Sequence, residues 1–557
     1  MSRERVGSQR AAPQGQEGRG AVVRRRIRGG MLERRVEKTW ETPWASPSER
    51  GYRASRRGMC PRGVGAVHSS RDGGDSTTPH EPRDRTSTTR LPETKARPVL
   101  NKGVPMDVKR PTAGPGNAWE VVRPDDTVGR LQQTLYATAK TDPKRRFHAL
   151  RDKVYRWDVL QQAWDLVRAN QGASGMDDAT IEDVEETGVD AFLRGLQEEL
   201  RTGAYRASPV RRVLIPKPNG GQRPLGIPTV RDRVAQAAAK LVLEPLFEAD
   251  FLPTSFGFRP NLSAQDAAEE VCKWLNFGLE DVLDADIKAF FDEIPHDRLL
   301  DAVARRVSDG SVLGLIRMWL ASGVMVGGGV EHSDTGTPQG GVISPLLANL
   351  YLHQFDAEWS RRGLDKRTGL DAKLVRYADD FLILRRGSVR GLVPVVQEIL
   401  GGLGLRLNLE KSRVVRAEKG FDFLGFRFTR VPSEKHGKRV TYYFPSPKSV
   451  LRVKQKVRDR CGKQTTFVEP ADVVRSLNRL LVGWRNYFRP SNAARAFAHV
   501  QGYVENRLRR FLRRREGKAG PGRYRDFPNE HLYEELRLVR LAGRGSVRYA
   551  SVERGAA

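Results

Sequence analysis

The chain has 557 residues and a formal net charge of +30, with 97 Lys and Arg against 67 Asp and Glu. That length exceeds what one hydrophobic core supports, and that charge favours polyanionic partners held by contacts that salt weakens. Three cysteines (Cys60, Cys272, Cys461) without a CxxC pair exclude a disulfide framework and a Cys-rich zinc site. No apolar run reaches the roughly 18 residues of a membrane span, and the amino terminus has no apolar signal region. The expected compartment is a reducing cytoplasm with no membrane partner.

Residues 1–125 are rich in Arg, Gly, Ser, Thr and Pro and show no period of 2 or 3.6, so they read as a basic, disordered extension. It is either a tail that holds RNA or upstream in-frame sequence with a start at Met31, Met59 or Met106. Helical periodicity begins with WDVLQQAWDLVRAN and VDAFLRGLQEELRTGAY, where Phe192, Leu193, Leu196 and Leu200 share one face and belong in a core. VRRVLIPKPNGGQRPLGIP predicts a strand, a turn at Pro218–Gly221 and a second strand. RDRVAQAAAKLVLEPLFEADF predicts a long helix.

From 281 the order is strand (DVLDADI), helical stretches, a Gly-rich loop (GTPQGG), a helix (SPLLANLYLHQF), a hairpin (LVRYADDFLIL) and another helix. Ser344 and Pro345 are suited to the N-cap and first turn of the SPLLANLYLHQF helix. FDFLGFRF alternates like a half-buried strand. After about 445, basic helices such as VVRSLNRLLVGWRNYFR and VENRLRRFLRRR take over. The pattern is that of an α+β domain with an antiparallel sheet, followed by a mostly helical domain.

Asp379 and Asp380 sit side by side where the hairpin turns. Alone they would be ordinary turn formers, but a second apolar strand carries Asp284, Asp286 and Asp292, and an unpaired carboxylate is expensive to bury. Clustered acids of this kind suit divalent cations with a taste for hard oxygen ligands. Two Mg²⁺ ions roughly 3.5–4 Å apart support an in-line phosphoryl displacement.

The ordered series SGMD (174–177), IPKPNGGQRPLGIPTVRDRVAQ (215–236), SFGFRP (255–260), DIKAFFDEIPH (286–296), GTPQGGVISPLLANLYL (336–352), RYADD (376–380), NLEKS (408–412) and FDFLGF (421–426) resembles reverse transcriptases, group II intron-encoded reverse transcriptase/maturases in particular. The resemblance covers roughly residues 170–530. It implies a right-hand polymerase, with fingers and palm over 126–435, a helical thumb/maturase domain X over 436–530 and a tail over 531–557. It implies RNA-directed DNA polymerase activity, with Asp286 and Asp379 as principal Mg²⁺ ligands and Asp380 assisting. It also implies Phe291 as an aromatic floor that excludes a ribose 2′-hydroxyl, Lys217 and Arg223 as a triphosphate clamp, Gln339 as a contact to the incoming nucleotide, and Lys411 as general acid. FDFLGF resembles the primer-grip hairpin.

In LNRLLVGWRNYF, Leu477, Leu480, Leu481, Trp484, Tyr487 and Phe488 recur at helical spacing and read as core. Arg475, Arg479, Arg485 and Arg489 face elsewhere, and with Arg507, Arg509, Arg510, Arg513, Arg514 and Arg515 are expected to form a basic surface for RNA phosphates. The implied partners are the parent group II intron RNA, an RNA template with a DNA primer, dNTPs and a DNA target, in a bacterial-type, nucleoid-associated setting. With no CxxC pair or His cluster before Ala557, the chain resembles the branch without an HNH endonuclease. The alternatives are a splicing-only RNA-binding maturase and a domesticated or defence-associated reverse transcriptase.

Overall fold

The computed structural model describes residues 126–541 except 217–220, 327–328, 338–339, 367, 435–436, 519 and 521. The 1–125 extension, Lys217, Gln339 and the end of the chain beyond 541 lie outside the described residues. Five helices come first: α1 (Thr127–Thr141), α2 (Arg151–Val154), α3 (Trp157–Asn170), α4 (Ile181–Thr187) and α5 (Val189–Thr202). On α5, Leu193, Leu196 and Leu200 are buried and Phe192 packs on Trp164, as the spacing predicts. Strands β1 (Val210–Pro216) and β2 (Gln222–Ile227) pair antiparallel, with Ile215 opposite Arg223. Helix α6 (Val230–Glu248) follows, capped by the Thr229 side chain, and is buried on nearly every side because it has no continuous polar face.

Next come α7 (Ala264–Asn276), β3 (Asp281–Ala285), α8 (Phe290–Glu293), α9 (His296–Ala304), α10 (Gly310–Ala321), β4 (Val324–Val326) and β5 (Gly329–Glu331). β4 pairs in parallel with β1, so the sheet β2-β1-β4-β5 is mixed, the long crossover between β1 and β4 permitting what a tight hairpin cannot. Helix α11 (Ser344–Arg361) starts one residue differently from expectation. Ile343 occupies the cap position with helical dihedrals, which moves Ser344 into the first turn beside Pro345.

The hairpin β6 (Lys373–Tyr377) and β7 (Asp380–Arg385) joins β3 and, after α12 (Val393–Gly402), β8 (Arg413–Arg416) in an antiparallel sheet of order β6-β7-β3-β8. Period-2 alternation sends its side chains into two cores. Leu283, Ala285, Leu374, Phe381 and Ile383 join α6 and α11, whereas Val282, Val375, Leu382 and Leu384 pack on the other face with α7. With both faces covered, the strands read as nearly unbroken apolar runs.

The second core also holds β9 (Phe421–Phe423), β10 (Phe426–Ser433), β11 (Lys438–Pro445) and the helices α13 (Pro447–Arg460), α14 (Pro470–Phe488) and α15 (Ala494–Arg515), while the short α16 (Arg523–Asp526) contributes nothing to it. The helical region therefore shares its core with one face of the β6-β7-β3-β8 sheet, and the boundary expected at 436 falls within the β10–β11 hairpin. Residues 531–541 add buried Leu532, Leu538, Val539 and Leu541 to that core. Asn478 of α14 pins this segment by bonding to Arg537 O (2.9 Å) and Val539 N (2.8 Å). Among the described residues no helix is long and apolar enough to cross a membrane.

Candidate active site

β3 pairs Asp284 with Leu382 and Ala285 with Phe381, so continuing the register by one residue sets Asp286 level with Asp380 on β7. The hairpin between β6 and β7 is a two-residue turn, Ala378–Asp379, closed by the Tyr377–Asp380 pair, and Ala378 takes a left-handed conformation (φ 56°). The fold thus delivers three acids, distant in sequence, to one end of one sheet. Their mutual field is felt in the protonation of the turn. Asp379 is raised by burial and by Asp286, with Arg223 opposing. Asp380, which faces solvent but is crowded by protein on its other sides, is pushed up to about 6 by burial and then by Asp379, Asp286 and Asp284. Asp284, on the same sheet face, is pushed up to about 6 by burial, with Arg413 opposing and Asp286 reinforcing.

The NLEKS loop closes over Asp286. Lys411 Nζ lies 3.2 Å from Asp286 Oδ2 and Asn408 Nδ2 donates to the same oxygen at 2.9 Å. Among the described residues no three carboxylate, imidazole or thiolate groups are gathered around one cation position. The donor set nevertheless suits a hard divalent ion, since it offers carboxylate oxygens whose repulsion a cation would relieve.

What holds the turn was not legible from the acids. Arg376, wholly buried on β6, donates to Asp356 Oδ1 (2.9 Å) and Asn349 Oδ1 (3.1 Å) on α11 and to Ala378 O (3.0 Å) in the turn. Asn349 in turn donates to Gly257 O. Gly257 lies so close to the turn that a Cβ there would stand 2.5 Å from Ala378 N, which explains glycine within SFGFRP. The usable signal was a lone Arg inside an apolar strand.

The residues that the resemblance assigns to the nucleotide lie around two loops. Phe291 is half-buried, packs edge-on against Phe290 at 5.2 Å, and accepts a bond from Thr337 N (2.7 Å) of the Gly-rich loop. His296 Nε2 reaches Gly336 O at 2.6 Å, stitching the same segments together. Gly340 has φ 123°, and a Cβ there would meet Gly226 O of β2 at 2.4 Å. Arg223 stands exposed on β2 and its charge acts on Asp379.

The expected RNA surface needs correcting. Arg509 is 4% exposed, donating to Phe527 O (2.8 Å) and Asn529 Oδ1 (2.6 Å) and pairing with Glu505. Arg513 is 6% exposed and paired with Asp526. Both tie α15 to the chain that follows, so neither faces solvent. Arg485 and Arg514 are half-buried on the carbonyls of Arg540 and Gly462, Arg515 bonds to Val468 O, and Arg507 is half-buried. Arg475, paired with Asp472, and Arg479, Arg489 and Arg510 are exposed. A basic stripe that sequence reasoning passed over lies on α13, where Lys448, Arg452 and Lys456 recur at helical spacing beside Leu451, which is 68% exposed. Lys448 is near enough to the catalytic sheet for its charge to act on Asp284.

An antiparallel sheet that brings acids to one end, within reach of the Arg223 charge on β2, and packs a helical region on one face has the architecture of a right-hand nucleic-acid polymerase. Residues 215–428 match the family described as reverse transcriptase (RNA-dependent DNA polymerase), and residues 450–527 match the group II intron, maturase-specific domain. The chain is 32% identical over 359 residues to Protein YkfC of Escherichia coli (strain K12), which covers 58% of this chain and 93% of that protein. It is 34% identical over 348 residues to the Uncharacterized 91 kDa protein in cob intron of Schizosaccharomyces pombe, covering 52% of this chain and 42% of that one. Over 340 residues it is 35% identical to Group II intron-encoded protein LtrA of Lactococcus lactis subsp. cremoris, covering 49% and 56%. The chain thus spans nearly all of the first relative and about half of the other two. It belongs to the reverse transcriptases, in the group that carries a group II intron maturase domain. Its enzymatic class is RNA-directed DNA polymerase, and the same chain carries a group II intron maturase-specific domain.

Proposed function

We propose that this chain extends a DNA primer along an RNA template at Asp286, Asp379 and Asp380, and that its helical region binds its group II intron RNA to assist splicing and movement into a DNA target. The observation that carries this reading is the convergence of the three acids at one sheet end, where the charge of Asp286 adds to the upward shift of Asp379 and Asp380. Asp286 and Asp379 supply the principal oxygens for two Mg²⁺ ions and Asp380 assists. Bound Mg²⁺ lowers the pKa of the primer 3′-hydroxyl and offsets charge on the leaving pyrophosphate. Arg223, with Lys217, holds the triphosphate, guanidinium by paired hydrogen bonds and ammonium as a point charge. Phe291 underlies the sugar and Gln339 contacts the nucleotide. Lys411, once released from Asp286, protonates the pyrophosphate. The stripe on α13 and the exposed arginines of α14 and α15 follow nucleic-acid phosphates, and recognition of the intron rests on RNA shape. Cytoplasmic, nucleoid-associated action suits a DNA target.

The test is primer extension on an RNA template with Mg²⁺ and dNTPs, wild type beside Asp379→Ala. Only the wild type makes cDNA if the reading holds. Tight RNA binding with no cDNA from the wild type would put a splicing-only maturase in its place. A domesticated or defence-associated enzyme is disfavoured by the maturase-specific match over 450–527, which such a role does not require.

A further inference from the structure

Asp286 emerges one residue beyond the end of β3, where the ladder no longer constrains it. Every polar group of its backbone, and one of its two carboxylate oxygens, is instead met by the loop from Asn408 to Ser412. Asn408 N donates to Asp286 O at 2.8 Å, and Asp286 N donates to Ser412 Oγ at 3.1 Å. Asn408 Nδ2 donates to Asp286 Oδ2 at 2.9 Å. The loop is braced across its own width by Ser412 N on Asn408 O (2.8 Å), and Ile287 bridges to Leu407 on the strand side. Asn408 is half-buried, whereas Lys411, the other partner of Oδ2, is exposed on a flexible stem.

We infer that Asn408 is a positioning residue for the cation site: by holding Oδ2 from the side it fixes the Asp286 carboxylate plane and leaves Oδ1 for the metal. The inference rests on the proposed role of Asp286 as a metal ligand. The geometry separates the two partners of Oδ2. Lys411 can leave, because an ammonium competes with an incoming cation for the same charge. Asn408 is neutral, so its hydrogen bond survives cation binding, and its backbone bond to Asp286 O keeps the side chain in place. Outer partners of metal ligands typically change metal affinity by about 10–100-fold when removed. The effect here belongs near the lower end, since Asp379 and Asp380 need no help from Asn408.

The experiment measures binding of Mn²⁺ alone, by electron paramagnetic resonance of the free ion, to the full chain and to Asp286→Ala, Asn408→Ala and Asn408→His, with melting temperature recorded for each. Histidine places Nδ1 where asparagine has Nδ2 and restores a donor to Oδ2. Asn408→Ala is expected to weaken Mn²⁺ binding about 10-fold and to raise the Mg²⁺ concentration for half-maximal primer extension in step. The KM for dNTP at saturating Mg²⁺ stays unchanged, and Asn408→His recovers most of the loss. Wild-type Mn²⁺ affinity in a folded Asn408→Ala overturns the inference. Should the alanine variant fail to fold, a folded Asn408→His that binds Mn²⁺ as the wild type does supports the inference, and one that binds weakly overturns it. If Asp286→Ala itself binds Mn²⁺ like the wild type, the reading of Asp286 as ligand has failed, a separate result from failure at Asn408 alone.

Discussion

Arg376 puts a wholly buried cation into β6 and finds its counter-charge on α11, twenty residues earlier in the chain, at Asp356. Removing one partner of such a pair leaves the other charged and dry, which costs about 3–5 kcal/mol. Arg376→Ala is therefore expected to lose stability of that order in urea unfolding, and cDNA synthesis with it, since the guanidinium also holds Ala378 O beside the catalytic acids. A loss under about 1 kcal/mol would mean that the pair is solvated. Asp380 makes an opposite prediction. Its carboxyl is pushed up to about 6, against an unfolded value near 4. Between those values the folded state keeps a proton that the unfolded state releases, so stability of the metal-free protein falls as pH rises through the window and stays reduced above it. In EDTA, Asp380→Asn should raise the melting temperature at pH 7 and reduce its slope between pH 4 and 6, leaving the part due to Asp284 and Asp379. The acids themselves were legible in the sequence because carboxylates in or beside apolar strands are conspicuous, although it was the family resemblance that selected Asp286 over Asp284 and Asp292. Asn408, Asn349 and Asp356 were not, because each lies in a segment whose local pattern explains it fully as loop or helix.

The alternation of FDFLGFRF is realised in β9 and β10, where Phe421, Phe423, Phe426 and Phe428 are all buried. What the alternation does not reveal is who holds the turn between them. Leu424 adopts φ 48° and its carbonyl accepts from Tyr487 Oη of α14 at 2.9 Å, while the Tyr487 ring stacks on Phe426 at 5.4 Å. Ser449 Oγ of α13 donates to the adjacent Gly425 O at 2.9 Å. Two helices of the maturase region thus fix a turn next to the palm. Tyr487→Phe keeps the ring and removes one hydrogen bond, so a stability loss of about 1 kcal/mol is expected. Primer–template affinity should fall with it, read by filter binding, while single-nucleotide addition at saturating duplex remains. Among the arginines of α14 and α15 the outcome divides by burial. Arg509→Ala on α15 should lower the melting temperature, whereas Arg479→Glu on α14 should weaken RNA binding with the melting temperature unchanged.

For the molecule as a whole, a net charge of +30 predicts binding that collapses with salt, and the fold says which cations take part. Replacing both Lys448 and Arg452 by Gln should reduce the slope of log Kd against log salt by about 1–2, on the rule of roughly one per lost phosphate contact. An unchanged slope would remove α13 from the interface. By itself the sequence determined the class of fold and the order of its elements, and marked a set of acids from which family resemblance selected Asp286, Asp379 and Asp380, because hydrophobic period, turn chemistry and the cost of burying a carboxylate all act within a few residues of chain. Only the tertiary structure decided which arginines meet water, because the burial of Arg509 and Arg513 depends on Phe527 O, Asn529 and Asp526, which helical spacing does not register. It also decided that palm and maturase helices share one core, since the outward residues of β3, β6 and β7 reveal a second buried face only when α7 and the later helices close over them.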